Sequence, residues 1–187
     1  MITAYTDGGA RGNPGPAGYG VHIIGGDGET LAELVGPLGR ATNNVAEYSG
    51  LIAALQWAIE HGHTRVRVRM DSELVIKQMR GEYKVKNAGL QPLHAEARQL
   101  ATQLDRVVFE HVRREQNKVA DGLSNDAMDR SEGKPPRDLD APAAAPPPPP
   151  VAVEPLAPRR IAIPRPARPA HARGEPPTAP RFDFDLD

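Results

Sequence analysis

The sequence predicts an α/β domain in which helices pack on a mixed five-stranded sheet, in the order β-β-β-α-β-α-α-β-α. Two observations predict it. Three β-prone runs joined by glycine-rich turns come first, as expected of an antiparallel meander, and strand and helix patterns alternate after them. A third observation sets the limit of the domain: only four of the 20 prolines lie before residue 131.

The first three strands are predicted over residues 2–7, 19–25 and 30–35. The first run is β-prone and ends on the carboxylate of Asp7, and the segment after it is dense in turn-forming residues. The sequence Gly25-Gly26-Asp27-Gly28 is typical of a hairpin turn and joins the second strand to the third.

Residues 43–61 show the clearest helical pattern in the chain. Thr42, Asn43 and Asn44 are candidates for capping its N-terminus. Glu47 shares one helical face with apolar residues, which are Leu51, Ala54, Leu55 and Ala58. This position turns a glutamate toward the sheet rather than toward water.

The remaining elements alternate. A strand over 65–70 places apolar residues on one face and arginines on the other, and it ends at Asp71. Helices are predicted over 72–80, 90–104 and 117–129, with an irregular segment over 81–88 and a strand over 107–112. His111 shares the alternation of Val107 and Phe109, so we expect it to pack in the core.

The chain divides by proline content into a globular domain over 1–130 and a tail over 131–187. The tail holds the other 16 prolines, including the run 146–150. Proline lacks the backbone N–H that helices and central strands require, so we expect the tail to be disordered.

Composition excludes several classes of protein. No run of 18 apolar residues is present, so no membrane association is expected, and the N-terminus has no signal-peptide pattern. The lack of cysteine excludes disulfides, thiolate catalysis and cysteine-ligated zinc, and it fits a cytoplasmic protein. The 23 basic and 24 acidic residues nearly balance, so charge alone does not indicate a nucleic-acid partner.

Four acidic residues occupy unusual positions, namely Asp7, Glu47, Asp71 and Asp121. Each one alone could be a helix cap or a solvated strand end. Together at one site, they could not all stay ionised without a counter-charge. A divalent metal ion would supply that charge, and a donor set made only of carboxylates selects hard ions such as Mg²⁺ or Mn²⁺.

At these residues the chain resembles type 1 ribonuclease H over about residues 1–129. Four motifs in the family's order carry the resemblance. They are Tyr5-Thr6-Asp7-Gly8-Gly9 with Gly12-Asn13-Pro14-Gly15, Thr42-Asn43-Asn44-Val45-Ala46-Glu47, Asp71-Ser72, and Asn117-Lys118-Val119-Ala120-Asp121.

The resemblance implies a ribonuclease H-like fold and an endonuclease that hydrolyses the RNA strand of RNA/DNA hybrids, leaving 5′-phosphate and 3′-hydroxyl ends. Two Mg²⁺ ions, with Mn²⁺ as the alternative, would be held by the four carboxylates. Asn13, Asn43 and Asn44 would contact the nucleic acid, although a turn and a helix cap also explain them. We expect a monomer. A non-catalytic hybrid-binding module and another nuclease of this fold are the alternatives.

The chain departs from the family pattern in three places. One is Glu73, which stands after Asp71-Ser72 where members often have an amide side chain, so a substrate contact expected there is in doubt. The loop before the last helix carries Arg113 and Arg114 but lacks the histidine found in many members, and either arginine could face the phosphate. Residues 80–90 are too short for the basic protrusion that grips the hybrid in many members. Lys84 and Lys86 could hold phosphates there, although a solvated loop explains them equally well.

Two hypotheses concern the tail. Its arginine–proline stretch, around residues 159–173, could tether nucleic acid, or it could be a solvated linker. The acidic and aromatic residues 182–187 could dock a partner protein.

Overall fold

The computed structural model describes residues 1–134, which form five strands and four α-helices. The strands are β1 (Ile2–Ala10), β2 (Gly15–Ile24), β3 (Thr30–Ala41), β4 (Arg65–Met70) and β5 (Arg106–His111). The helices are α1 (Asn43–Glu60), α2 (Glu73–Met79), α3 (Gln91–Ala101) and α4 (Lys118–Ser131), and a short 3₁₀ turn, Arg114–Gln116, precedes α4. Within residues 1–134, none of these helices combines the length and apolar character needed to cross a bilayer.

The strands form a single mixed sheet, as predicted. The order across the sheet is β3-β2-β1-β4-β5, in which β1 pairs antiparallel with β2 and β2 with β3. The strand β4 pairs parallel with both β1 and β5. The order puts β1 and β4 side by side in the middle, so their carboxyl ends meet at one edge of the sheet.

The main core lies between the sheet and α1, with α2 and α3 beside it. The predicted apolar face of α1 is fully buried, and so is the apolar face of β4, which consists of Val66, Val68 and Met70. The helix α4 covers the opposite face of the sheet and packs on β2, β3 and β1.

The first two strands are longer than the sequence pattern predicts, because their glycines serve helix packing rather than turns. The strand β1 does not end at Asp7 but continues to Ala10, still paired with β2. A Cβ atom on Gly8 would lie 2.2 Å from the backbone nitrogen of Glu47, and one on Gly18 would lie 2.3 Å from the Cβ of Ala127. Glycine therefore allows α1 and α4 to approach the sheet on its two faces.

The third strand is also longer than predicted, because it continues through Gly36, Pro37 and Gly39 to Ala41. Its position at the edge of the sheet explains this tolerance, since proline removes only a hydrogen bond that no neighbouring strand would accept. The other predicted elements agree with the structure to within one to three residues at each end.

The expectation for His111 was wrong. This residue is exposed, because it is the last residue of the edge strand β5. From residue 135 onward, the tail lies outside the described part of the chain. The predicted disorder of the tail and both hypotheses about its role therefore stay predictions.

Candidate functional site

The site is built where the central strands stop pairing. The last pair between β1 and β4 joins Thr6 to Met70, so Asp7 and Asp71 follow as neighbours at the same edge. Polar residues beyond the carboxyl ends of parallel strands are typical of ligand sites in α/β sheets. Asp7 is 7% exposed and Asp71 is half-buried.

The helix α1 supplies the third carboxylate. The close approach at Gly8 brings the first turns of α1 against β1, and Glu47 on its buried face is 6% exposed. One carboxylate oxygen from each of Asp7, Glu47 and Asp71 lies within 4.8 Å of the other two. We call these three residues the acid cluster.

The fourth predicted carboxylate, that of Asp121, lies on the wall of the same cavity. This cavity has a volume of about 310 Å³ and is also lined by Asn43 and Arg114. The guanidinium of Arg114 donates to Oδ1 of Asp121 at 2.5 Å, which places a positive charge beside this carboxylate.

Burial and mutual repulsion raise the pKa values of the two most buried acids. The pKa of Asp7 is raised from 3.8 to about 6, mainly by burial and further by the charges of Asp71 and Asp121. The pKa of Glu47 is raised well above its usual value by burial and by the charges of Asp7 and Asp71, although a backbone hydrogen bond from Gly8 opposes the rise. The site therefore favours protons or other cations.

The donor set fits a hard divalent cation. Glu47 Oε2 is buried and has no hydrogen-bond partner among the described residues, which is costly unless a cation or proton is supplied. Three converging carboxylates are ligands typical of Mg²⁺ and Mn²⁺. Asp7, Glu47 and Asp71 are thus suited to hold such an ion, with Asp121 nearby.

Two further residues orient the carboxylates, and neither was predicted to do so from the sequence. The hydroxyl of Ser124 donates to Asp7 Oδ2, and Asn117 donates to the carbonyl oxygen of Thr6 at 2.9 Å and to Asp71 Oδ1 at 3.4 Å. Both lie on one side of α4 and its N-cap together with Asp121. Ser124 is three residues after Asp121 and Asn117 is four residues before it. These helical spacings place all three on one side of α4, and they are the sequence signal that could have indicated the role.

The structure brings together only some of the predicted substrate contacts. The side-chain oxygen of Asn13 accepts a hydrogen bond from the backbone nitrogen of Asn43 at 3.3 Å, which places Asn13 beside the cavity. Of the predicted contacts, Asn43 and Arg114 line the cavity itself. Those that do not are Asn13, Asn44 at the start of α1, and the exposed residues Lys84, Lys86 and Arg113.

The sequence matches the model of a known protein family. The model of the family described as reverse transcriptase-like matches residues 5–127. The chain belongs to this family. The matched residues contain all four predicted carboxylates and the five strands, apart from the first residues of β1.

Two relatives of this chain are similar to it in sequence over most of the described residues. The bifunctional protein Rv2228c of Mycobacterium tuberculosis is 51% identical over 140 residues, which are 74% of this chain and 38% of that protein. Ribonuclease HI of Halobacterium salinarum is 44% identical over 128 residues, or 68% of this chain and 64% of that protein. The matched region is thus less than two thirds of either relative's length.

Solved structures of ribonucleases H are similar to this chain in both sequence and fold. The N-terminal ribonuclease H domain of Rv2228c is 50% identical with a TM-score of 0.69, and the match covers 71% of this chain and 96% of that one. LC11-RNase H1, isolated from compost and solved in complex with an RNA/DNA hybrid, is 46% identical with a TM-score of 0.67, covering 71% and 99%. The predicted resemblance to type 1 ribonuclease H and the predicted fold class are confirmed.

Proposed function

We propose that this chain is a ribonuclease H that hydrolyses the RNA strand of RNA/DNA hybrids. The observation that carries this proposal is the acid cluster, in which three carboxylates from two strands and one helix meet within 4.8 Å. Relatives named ribonuclease HI and a similar structure solved with an RNA/DNA hybrid support the same activity.

The acid cluster and Asp121 would hold two Mg²⁺ ions, or Mn²⁺ in their place. Bound there, such ions supply an activated water and a charge that stabilises the leaving 3′ oxygen, which gives 5′-phosphate and 3′-hydroxyl ends. The chain's own contribution is orientation. Ser124 holds Asp7 from α4, and Asn117 links the strand end at Thr6 to Asp71, so the carboxylates keep their positions when substrate enters.

Asn43 is the residue best placed to contact the RNA strand. It is exposed at the start of α1, lines the cavity and stays beside Asn13 through their hydrogen bond. An amide both donates and accepts, so it suits the 2′-hydroxyl that distinguishes RNA from DNA. Asn44, Lys84, Lys86, Arg113 and Arg114 are proposed as further contacts along the hybrid.

Arg114 is placed to contact a phosphate of the substrate beside the carboxylates. Its guanidinium bonds to Asp121 while remaining 73% exposed, so it can leave that carboxylate when a metal ion binds and face a phosphate instead. Cytoplasmic localisation and a monomeric state stay predictions of the sequence.

The Asp71→Asn variant tests the activity. Asparagine keeps the shape of Asp71 but removes the charge, so cleavage of a labelled RNA/DNA hybrid in Mg²⁺ or Mn²⁺ should fall at least about a hundredfold. The matched control is Asp105→Asn at an exposed position before β5, which should cleave like the unaltered chain. Double-stranded DNA and double-stranded RNA should stay intact.

An intact hybrid in both metal ions would contradict the proposed activity. If the hybrid still bound without being cut, the chain would be a non-catalytic hybrid-binding module. Cleavage of double-stranded DNA as well would indicate another nuclease of this fold.

A further inference from the structure

One half of the sheet has a face that no helix covers within residues 1–134. The helix α4 lies on β1, β2 and β3, whereas β4 and β5 are covered only on their other side. The alternation of β4 turns three arginines to this uncovered face, and β5 adds a fourth. We call Arg65, Arg67, Arg69 and Arg106 the arginine face.

Glu110 is the acidic residue that pairs with this face. Its carboxylate lies 3.1 Å from Nε of Arg67 and 2.9 Å from Nε of Arg69. One carboxylate therefore serves two guanidinium groups, and the face keeps a net positive charge.

The other two arginines oppose each other. Arg65 and Arg106 are direct partners in the parallel register of β4 and β5, and both are exposed. No carboxylate of the described residues lies within 4.0 Å of either guanidinium. Like charges directly opposite in a sheet cost stability. An anionic ligand would offset this cost.

The arginine face continues into a second cavity of about 300 Å³. The rings of Tyr5 and His22 line it, stacked with their centroids 6.1 Å apart and their planes at 28°. Arg69 donates to the hydroxyl of Tyr5 at 2.8 Å, which joins the arginines to this aromatic wall. A row of cationic side chains can bind the phosphates of a nucleic acid, and a neighbouring aromatic cavity can hold one of its bases by stacking.

We propose that the arginine face binds single-stranded DNA. Alternate residues of β4 are about 6.6 Å apart, so the arginines form a regular row along which a phosphate backbone can lie. The cavity at Tyr5 and His22 would take a base by stacking. The choice of DNA rests on the proposed function, because hydrolysis of the RNA strand leaves the DNA strand single.

The position of the face favours such a role. Arg69 is two residues before Asp71, so the row begins beside the acid cluster and runs back along β4 toward the opposite edge of the sheet. A DNA strand released at the acid cluster could therefore stay attached to the same molecule. An acidic protein surface would pair with the arginines but would make no use of the aromatic cavity.

The test measures binding of a fluorescent oligothymidine to the full chain in EDTA, at several salt concentrations. The double variant Arg65→Gln/Arg106→Gln should weaken binding about tenfold and lower the slope of log affinity against log salt by about 1.4, since each single-strand phosphate contact contributes about 0.7. The matched control, Arg98→Gln/Arg130→Gln, removes two exposed arginines from helices α3 and α4 and should keep the unaltered slope.

Thermal unfolding separates binding from folding. The double variant should unfold at the same temperature as the unaltered chain or slightly higher, because it relieves a repulsion. Equal affinity and slope in both double variants would overturn the proposal. Tighter binding of single-stranded RNA would overturn the assignment to DNA, and binding of poly-glutamate as tight as that of the oligonucleotide would favour an acidic protein.

The outcome is independent of the nuclease test. If single-stranded DNA bound through these arginines while a blunt RNA/DNA hybrid stayed intact in Mg²⁺, the proposed nuclease activity would be wrong and the binding face would stand. If the hybrid were cleaved and the arginines did not affect DNA binding, the reverse would hold.

Discussion

The acid cluster and the arginine face each gather like charges, but they differ in burial. Asp7 and Glu47 are almost fully buried, whereas Arg65 and Arg106 are exposed to water. Coulomb repulsion is weak in water and strong in a protein interior, and burial adds the cost of desolvation. Like charges therefore change the pKa values of the acid cluster strongly.

This difference indicates what each region can bind. A buried acidic site stores unfavourable energy that a small, hard cation can release, so occupancy should depend steeply on the metal ion. The exposed arginines cost little by themselves, so their interactions should be weaker, additive and screened by salt.

The largest expected effect follows replacement of Glu47 by glutamine. The amide keeps an oxygen that can accept the hydrogen bond from Gly8, but it removes a buried charge from the acid cluster. Cleavage should fall at least about a hundredfold. In EDTA, the free energy of unfolding should rise, because the variant no longer buries a carboxylate beside the charges of Asp7 and Asp71.

The measurements are hybrid cleavage and chemical denaturation, with Glu60→Gln at the exposed end of α1 as the control. A Glu47→Gln protein that is both inactive and less stable in EDTA would show that the carboxylate supports the fold rather than straining it. Added Mg²⁺ should stabilise the unaltered chain more than the variant.

The second prediction concerns the pH dependence of stability without metal. The pKa of Asp7 is about 6 in the folded chain and 3.8 when unfolded, so the folded state binds more protons between these values. Stability in EDTA should therefore rise as pH falls from 7 to 5, and Asp7 contributes roughly 1.3 kcal/mol to the rise. The lowered pKa of His22 has the opposite sign and reduces the rise slightly.

Denaturation at pH 5, 6 and 7 measures this dependence, with Asp7→Asn as the variant that should lose most of it. Maximum stability at pH 7 in EDTA would contradict a raised pKa for the buried carboxyl of Asp7. Saturating Mg²⁺ should reverse the trend, because metal binding requires the ionised carboxylates.

A smaller effect is expected at Ser124. Its hydroxyl donates to Asp7 and lowers the pKa of that carboxyl against the effect of burial. Ser124→Ala should therefore move the acidic limb of the pH–rate profile upward by about one unit, since a hydrogen bond to a charged group contributes about 1.5 kcal/mol. The rate on the alkaline plateau should change much less.

Ser124→Thr keeps a hydroxyl and should restore the profile, while Ser49→Ala removes a hydroxyl that bonds only within α1 and should leave it unchanged. An equal loss of rate at every pH in Ser124→Ala would indicate a general structural role instead.

The smallest effect is expected on the arginine face. Arg65→Gln should raise the free energy of unfolding by about 0.5 kcal/mol at low salt, because it removes the repulsion with Arg106. Arg69→Gln should lower it, because Arg69 bonds to Glu110 and to Tyr5. Both differences should shrink at high salt, and a salt-independent effect of Arg65→Gln would show that charge is not its cause.

Most elements of the fold could be predicted from local patterns. Helical spacing located α1 and its buried Glu47, and alternation located β4 with its arginines on one side. The errors came from glycine, which local reasoning assigns to turns. At Gly8 and Gly18 it lies within strands, because a helix from elsewhere in the chain needs the space of the missing side chain.

The candidate site could be predicted less completely. Residue type and position singled out the acidic residues, and motif order connected them to a family. The contacts of Ser124 and Asn117 could not be predicted, since they join residues more than 40 positions apart. The exposure of His111 likewise depends on its place at the end of an edge strand, which alternation along a single strand does not reveal.

The sequence alone thus determined which elements form and which carboxylates stand out, because periodicity and residue type are local properties of the chain. Only the tertiary structure decided that Asp7, Glu47 and Asp71 meet within 4.8 Å and that α4 leaves the arginines of β4 uncovered. Both outcomes depend on the order of strands and on how closely helices approach them. Those distances are set by packing between segments far apart in the sequence.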